Sequence, residues 1–413
     1  MKAEPVYVGL DIGSSKVRTV IGVPGQGEQK QPSVIGVGFA QVNGMRRGQV
    51  VDVEEVINAI TASVEEAERM AGEPVDHATV NIGSTGLLAL NTKGFVSVGR
   101  QDGEITEEDL GRALEASQAV SIPPNQKIVQ VIPRSFTVDN QLGVSDPVGM
   151  TGIRLEVDAH VITSSLANLK NLSKCVHQTG IDVDDFVPNA LAAAEAVLSK
   201  KQKELGVVVV DIGAGCTDLA VFEEGNVMHS AVIPVGAMHI TNDIAIGLRT
   251  SIDTAEKIKI EYGSCVPEEI RGHDQIDLSS ISNLDSQVVS RKMLAEIMEA
   301  RLQEIFALVN EELKKIDRAG GLPAGAVLTG GGVKTPGLVD LAKNIMGLPV
   351  QIGFPLEIEG LVDRIDDPAY ATSIGLLLWS FKNSGHERAA YNLRAGSGKM
   401  LNGVKGWLKS FVS

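Results

Sequence analysis

The amino-acid sequence predicts an α/β protein built from two related halves, each a three-strand meander followed by a helix. Two stretches 200 residues apart carry the prediction: Val8-Gly9-Leu10-Asp11-Ile12-Gly13-Ser14-Ser15-Lys16-Val17 and Val209-Val210-Asp211-Ile212-Gly213-Ala214-Gly215-Cys216-Thr217-Asp218. Each is a short, β-branched apolar run that ends in Asp, turns on glycine and small residues, and resumes as a second β-rich run. The flanks repeat as well. Residues 16–22 and 218–224 suit a second strand, 34–40 and 227–233 a third, and helical stretches follow at 52–71 and 241–248. A third glycine run, Val327-Leu328-Thr329-Gly330-Gly331-Gly332-Val333, follows a strand over 326–328 and precedes a helix opened by Pro336-Gly337-Leu338.

These turns have the composition of phosphate sites. Gly13, Gly213 and Gly215 permit a sharp turn and let the backbone approach an anion. Successive N–H groups in such a turn form an anion-binding nest. Ser14, Ser15 and Thr217 can add hydroxyl donors, and Lys16 adds a point charge for phosphate. Asp11 and Asp211 would face each other across a cleft, where carboxylates beside phosphates hold Mg2+, often through its waters. The glycine triplet Gly330–Gly332 exposes backbone to a flat ligand such as a purine and its sugar.

On these motifs the chain resembles the FtsA family of actin-like bacterial cell-division proteins, within the actin/Hsp70/sugar-kinase ATPase superfamily. The resemblance covers essentially the whole chain, with connecting helices at 188–198 and 369–378. It implies an actin-like two-lobed ATPase fold of duplicated ribonuclease H-like units, with ATP and Mg2+ in the cleft between the lobes. Phosphates would lie on Gly13, Ser14, Ser15 and Lys16 and on Gly213, Ala214, Gly215, Cys216 and Thr217. Adenosine would lie on Gly330, Gly331, Gly332 and Val333, with Gly236 also at the nucleotide. The helix Thr254-Ala255-Glu256-Lys257-Ile258-Lys259 is similar to the family helix that reaches ribose and base, with Glu256 and Lys257 as its contacts. Asp11 and Asp211 would position Mg2+ and water. Asn189 stands where many relatives carry a Glu, or actin a Gln, that positions the attacking water. An amide can orient water but cannot take its proton, so binding with slow or absent hydrolysis is expected. Cys216 stands where a third glycine is common, which predicts a slightly less open second turn.

The net charge of −15 argues against a general nucleic-acid binder. Three scattered cysteines (Cys175, Cys216, Cys265) show no metal-ligand spacing and fit a reducing cytoplasm. The chain moves from Met1 straight into a strand, which leaves no room for a signal peptide. No apolar stretch approaches the ~20 residues needed to span a bilayer.

The expected organisation is a first lobe over 1–83, 160–205 and 363–382, and a second over 206–237 and 304–362. A small inserted α/β unit occupies 84–159, with strands at 87–91, 95–98 and 128–132 and a return strand over 156–162. Its helix is capped by Thr106-Glu107-Glu108-Asp109 and ends by Pro123-Pro124. A polar, mostly helical insertion fills 238–303, and a linker runs over 383–398. The resemblance implies that 84–159 contacts the neighbouring protomer in a filament and docks later divisome proteins. It also implies that 238–303 binds the C-terminal peptide of the tubulin-like ring protein FtsZ, with Arg301, and Arg291 less strongly, as basic contacts.

Residues 399–413 form an amphipathic segment. On a wheel of ~100° per residue, Met400, Leu401, Val404, Trp407, Leu408, Phe411 and Val412 share one arc of roughly 140°, with Lys399, Lys405 and Lys409 outside it. Residues 382–413 carry six Lys/Arg and one acid, net +5, against 31 basic and 51 acidic residues elsewhere, net −20. A basic, Trp-bearing foot on an acidic body suits an anionic lipid surface. Half-burial of seven apolar side chains yields on the order of 5–10 kcal/mol, much of it offset by ordering the tail. Single tails should bind weakly and many tails on one polymer firmly.

Together these features predict a membrane-tethered, polymerising adaptor of the division ring, on the cytoplasmic face of the inner membrane at the division site. A sugar-kinase-like phosphotransferase would need a catalytic Asp and a substrate pocket that no motif supplies. An Hsp70-like chaperone would need a large domain after the ATPase core, where only about thirty residues follow Phe381. A type IV pilus assembly actin-like protein would have no use for the tail.

Overall fold

The computed structural model describes residues 5–25, 31–120, 122–281, 287–356 and 358–394. The first apolar run is β1 (Tyr7–Ile12), buried at every position, and it pairs antiparallel with β2 (Lys16–Pro24), which pairs with β3 (Pro32–Gln41). A tight hairpin of β4 (Met45–Arg46) and β5 (Gln49–Val50) then leads into α1 (Val53–Ala71). Asp52 caps that helix by accepting from the backbone N–H groups of Glu54 and Glu55, and Gly72 ends it in the left-handed conformation. Val56, Ile60, Val64 and Ala67 of α1 pack on the sheet. β6 (His77–Ile82) lies parallel to β1.

The inserted unit comprises β7 (Leu88–Ser97), α2 (Glu107–Ser117), β8 (Gln126–Val138), β9 (Gln141–Val144) and β10 (Arg154–Ser165), in sheet order β7-β10-β8-β9. Thr106 caps α2 reciprocally with Asp109, as its sequence predicts. The helix ends at Ser117, short of Pro123-Pro124. Two expectations need correction. The strands expected at 87–91 and 95–98 are one continuous strand, because Asn91 to Gly94 keep their ladder partners on β10. The return strand belongs to the inserted sheet along its whole length, pairing with β7 and β8 through Thr163, so the unit extends beyond residue 159.

After α3 (Leu166–Gln178), β11 (Asp182–Pro188) joins β6, completing a six-stranded sheet in order β11-β6-β1-β2-β3 with a late-arriving sixth strand beside β3. The short helices α4 (Asn189–Val197) and α5 (Lys200–Leu205) lead into the second lobe. There β12 (Val207–Ile212), β13 (Thr217–Glu223) and β14 (Asn226–Ile233) repeat the first meander. Asp11 faces Arg18 and Ile12 faces Val17 in one register; Asp211 faces Asp218 and Ile212 faces Thr217 in the other. Then follow α6 (Ala237–Leu248), α7 (Ile252–Tyr262), a small hairpin of β15 (Gln275–Asp277) and β16 (Val288–Ser290), and α8 (Arg291–Lys314). That last helix runs unbroken across residue 303, so the expected boundary there falls inside one helix, held by Leu302, Ile305 and Phe306 in the core. β17 (Ala326–Thr329) lies parallel to β12 as β6 does to β1, and α9 (Leu338–Met346) and β18 (Val350–Ile352) complete the lobe. The chain then adds β19 (Glu359–Gly360) beside β3, followed by α10 (Val362–Ile365) and α11 (Ala371–Arg394). The stretch expected as a linker from 383 is therefore helical through Arg394.

Two contacts fix how the parts of the molecule meet. Gly375 of α11 lies so close to the Ala192 carbonyl of the alanine-rich α4 that a Cβ there would clash outright. The edge strand β14 is covered by the inserted sheet, where Asn91 donates to the Met228 carbonyl at 3.2 Å. His160 bridges this seam, with Nδ1 at 2.6 Å from Asn91 Oδ1 and Nε2 at 2.9 Å from Ser230 Oγ. Burial, with the nearby His229 and Arg134, pushes its pKa down to about 3. The imidazole is thus neutral in the fold but titrates at its ordinary value once exposed, so its contribution is intact above pH 6.5 and is lost as pH falls toward 3. Between pH 7.5 and 5 the protein should lose about 2 kcal/mol of stability through this group. His160→Gln should flatten that loss in denaturant titrations at the two pH values; an unchanged pH dependence would contradict the assignment.

Candidate functional site

The two glycine turns close in the same way: Gly13 N donates to Lys16 O and Gly213 N to Cys216 O, both at 3.0 Å. They also meet. A Cβ on Gly215 would stand 2.5 Å from Ser14 Oγ and 3.1 Å from Arg47 N, so only glycine lets the second turn come this close to the first. Ser14 Oγ in turn accepts from Gly48 N at 3.2 Å. Behind the second turn, Gly236 caps α6, whose Ala237 and Met238 N–H groups bind the Gly213 and Ala214 carbonyls. Thr217 is fully buried and donates to Val235 O at 2.8 Å, so its hydroxyl serves the fold rather than a ligand. Cys216 is also buried, and burial, with Asp218, pushes its thiol well above the usual range.

Three carboxylates lie between the turns. Asp11 and Asp211, from the ends of β1 and β12, and Asp218, from β13, are all buried. Burial lifts Asp11 to about 7, opposed by Arg18, whose Nη1 lies 3.7 Å away, and reinforced by Asp211. Burial likewise raises Asp211, and Asp218 more strongly, the latter with Asp211 and Asp11 as unfavourable neighbours. Amides and a hydroxyl hold the set in place. Asn81, at the end of β6, donates from Nδ2 to Asp11 Oδ1 at 2.8 Å and to Asn189 Oδ1 at 3.1 Å, while its Oδ1 accepts from Ile12 N at 2.7 Å. Asn189 Nδ2 donates onward to Asp218 Oδ2 at 3.3 Å, and Thr372 of α11 donates to Asp211 Oδ2 at 2.7 Å. The first residue of α4 thus links the carboxylate beside the first glycine turn to the one beside the second. Among the described residues no three His, Cys, Asp or Glu side chains converge as a metal cage. A divalent cation here would take most of its ligands from phosphate and water, which suits a buried acidic pair held by neutral donors.

The glycine triplet borders the same cleft. Gly330 packs on Asp211 and Gly332 on Ile212, whereas a Cβ at Gly331 would meet nothing within 4 Å, leaving that backbone open. Val333 is buried. On α7, Glu256 accepts from Thr241 Oγ1 at 2.5 Å and Lys259 Nζ at 2.6 Å, while Lys257 points to solvent. Lys259, one turn from Glu256, is the basic residue the structure couples to it.

The partner candidates lie apart from this cleft. Arg301 Nε and Nη2 fork onto Asp243 at 2.6 and 2.9 Å. Ile246, Ile297 and Ala300 join this pair in a groove of about 360 Å³ between α6 and α8. Arg291, at the start of α8, instead donates to Tyr262 O at 3.2 Å and does not line the groove. The set expected to face lipid, Met400, Leu401, Val404, Trp407, Leu408, Phe411 and Val412, with Lys399, Lys405 and Lys409, lies outside the described residues.

Sequence reading missed Asn81, Arg18, Asp218 and Thr372. For the first three the signal lay in the duplication itself. Aligning the halves puts Arg18 and Asp218 at one position, and places Asn81 at the end of the strand equivalent to the one ending in Thr329.

Comparison with known proteins gives a consistent picture. Residues 208–375 match the family described as cell division protein FtsA, and residues 87–163 match the SHS2 domain inserted in FtsA. The chain is 40% identical to the cell division protein FtsA of Pseudomonas aeruginosa over 91% of its length and 89% of that protein. It is 39% identical to that of Neisseria meningitidis over 99% of this chain and 100% of the other, and 38% identical to that of Bacillus subtilis over 93% and 85%. Among solved structures, a PilM-PilN type IV pilus biogenesis complex aligns with a TM-score of 0.65 at 15% identity, covering 91% of this chain and 98% of the other. MreB5 of Spiroplasma citri bound to ADP aligns with a TM-score of 0.53 at 17% identity, covering 95% and 99%. These neighbours share the actin-like fold.

Asn81→Leu, which strands the Ile12 N–H and takes the amide from Asp11, should cost about 1–3 kcal/mol. A denaturant midpoint equal to the parent's would remove Asn81 from the site's framework.

Proposed function

Because the chain belongs to the FtsA family of cell-division proteins, we propose that it binds ATP between its two lobes, polymerises, and tethers the FtsZ ring to the cytoplasmic face of the membrane. One observation carries the nucleotide assignment: two turns of like construction, from lobes 200 residues apart, meet at Ser14 and Gly215 across a single buried acidic centre. Phosphates would sit on the N–H groups and hydroxyls inside the two closed turns, over residues 14–16 and 214–216. Mg2+ held through water by Asp11 and Asp211 would neutralise charge on the phosphates. Adenosine would take the open backbone at Gly331, with Glu256 aimed at the ribose by Thr241 and Lys259.

Hydrolysis should be slow. Asn189 is engaged on both sides, accepting from Asn81 and donating to Asp218, and an amide cannot remove a proton from water. The body then serves as an adaptor. The groove beside Arg301 offers an apolar floor to the FtsZ C-terminal peptide, whose carboxylates would have to take the guanidinium from Asp243 and Glu304. The inserted sheet offers Phe95, Leu142 and Ile153 as exposed apolar side chains to a neighbouring protomer or a later division protein. The tail would bring anionic lipid to the assembly, at the division site.

Co-sedimentation with anionic vesicles and ATP tests the adaptor as a whole. The parent should pellet with lipid, and pairing Trp407→Glu with Phe411→Glu should release it; unchanged pelleting would refute the lipid assignment. In a pull-down with an FtsZ tail peptide, Arg301→Glu should cut retention at least tenfold while Arg291→Glu has a smaller effect. Retention surviving the Arg301 change would move the peptide site elsewhere.

A further inference from the structure

The hairpin between β4 and β5 puts an arginine at the junction of the two phosphate turns, and nothing in the nucleotide assignment so far uses it. Its two central residues are Arg47, with φ of 49°, and Gly48, with φ of 71°. A two-residue turn with positive φ at both positions normally takes Asn, Asp or Gly at the first, because a long L side chain is strained there. Gly48 fits its place: it packs on the Gly83 carbonyl and donates to Ser14 Oγ in the first turn. Arg47 is not the residue this backbone favours, which turns attention to what its side chain could do.

Its surroundings indicate the ligand. Arg47 N lies 3.1 Å from where a Cβ of Gly215 would be, at the crown of the second turn. The Arg47 charge also acts on Cys216, the next residue of that turn, and on His239, in the first turn of α6 behind it. Arg47 is nevertheless exposed, and among the described residues no carboxylate pairs with it. An unpaired guanidinium at the meeting point of two anion nests, on a hairpin rigidly tied to one of them, suits a bidentate phosphate ligand.

Resting on the ATP assignment above, we propose that Arg47 is a phosphate-binding residue of the cleft that reads the terminal phosphate and so distinguishes nucleoside triphosphate from diphosphate. The hairpin enters from the first lobe while Gly215 belongs to the second. A terminal phosphate gripped by Arg47 and by the second turn therefore ties the lobes together, and a diphosphate ends short of that grip.

The test measures ATP and ADP affinities in the presence of Mg2+ by titration calorimetry, on the full chain and three variants. Arg47→Ala should weaken ATP about tenfold to a hundredfold while changing ADP less than about threefold. Arg47→Lys should recover part of the loss, keeping the charge but not the fork. Arg47→Gly relieves the left-handed strain, so it should melt at or above the parent temperature yet lose the ATP preference as Ala does. That separates loss of a ligand contact from loss of fold. An ATP-to-ADP affinity ratio unchanged in Arg47→Ala and Arg47→Gly would overturn the proposal while leaving nucleotide binding intact. Absence of ATP binding by the parent chain would instead overturn the nucleotide assignment and this proposal with it.

Discussion

Three buried carboxylates lie together with one arginine at 3.7 Å from the nearest of them, and much of the architecture follows from keeping that arrangement intact. Like charges in low dielectric repel strongly, and each would prefer to take up a proton. The fold answers with neutral donors: the Asn81 amide on Asp11, the Asn189 amide on Asp218, the Thr372 hydroxyl on Asp211. Each donor comes from a different element, so β6, α4 and α11 are all held to one point. Stability alone would favour fewer charges here. On the proposed reading, a cation and phosphates would supply the positive charge and the partners that these carboxylates lack.

The duplication explains why a single centre can be made from two lobes. Both halves end an apolar strand in Asp, turn on glycine and return in the same register. The halves are not equivalent, however. Opposite its aspartate the first half carries Arg18, and the second half carries Asp218. The two sides of the cleft therefore differ in charge although they share a backbone. The hairpin bearing Arg47 adds to the basic side, and the α6 N-terminus lies behind the acidic one.

The sequence made the lobes, the turns and the insertion visible because each depends on local chemistry. Apolar runs of six residues ending in Asp-Ile-Gly can do little else, and Thr106 to Asp109 carries its own cap. It hid what depends on long-range pairing. Residues 92–94 read as a break between two strands, and only β10 alongside makes them continuous. Asn81 is one polar residue at a strand end until Asp11 and Asn189, 70 and 108 positions away, arrive beside it. Lys257 and Lys259 are indistinguishable by composition; the helical turn decides which one meets Glu256. Arg47 carries no motif signal, since what sets it apart is a backbone angle and a turn of the other lobe.

The last helix spans the distance between chemistry and periphery. α11 begins beside Thr372, on the Asp211 carboxylate, and continues for 24 residues to Arg394. Along the way Trp379 donates to the buried Asp185, and Lys382 pairs with Glu195 of α4. At a rise of 1.5 Å per residue this is a rod of about 36 Å, and a tilt of one degree at its root displaces the far end by roughly 0.6 Å. A spar rooted beside the Asp211 carboxylate would carry any small reorientation there, magnified, to its far end at Arg394.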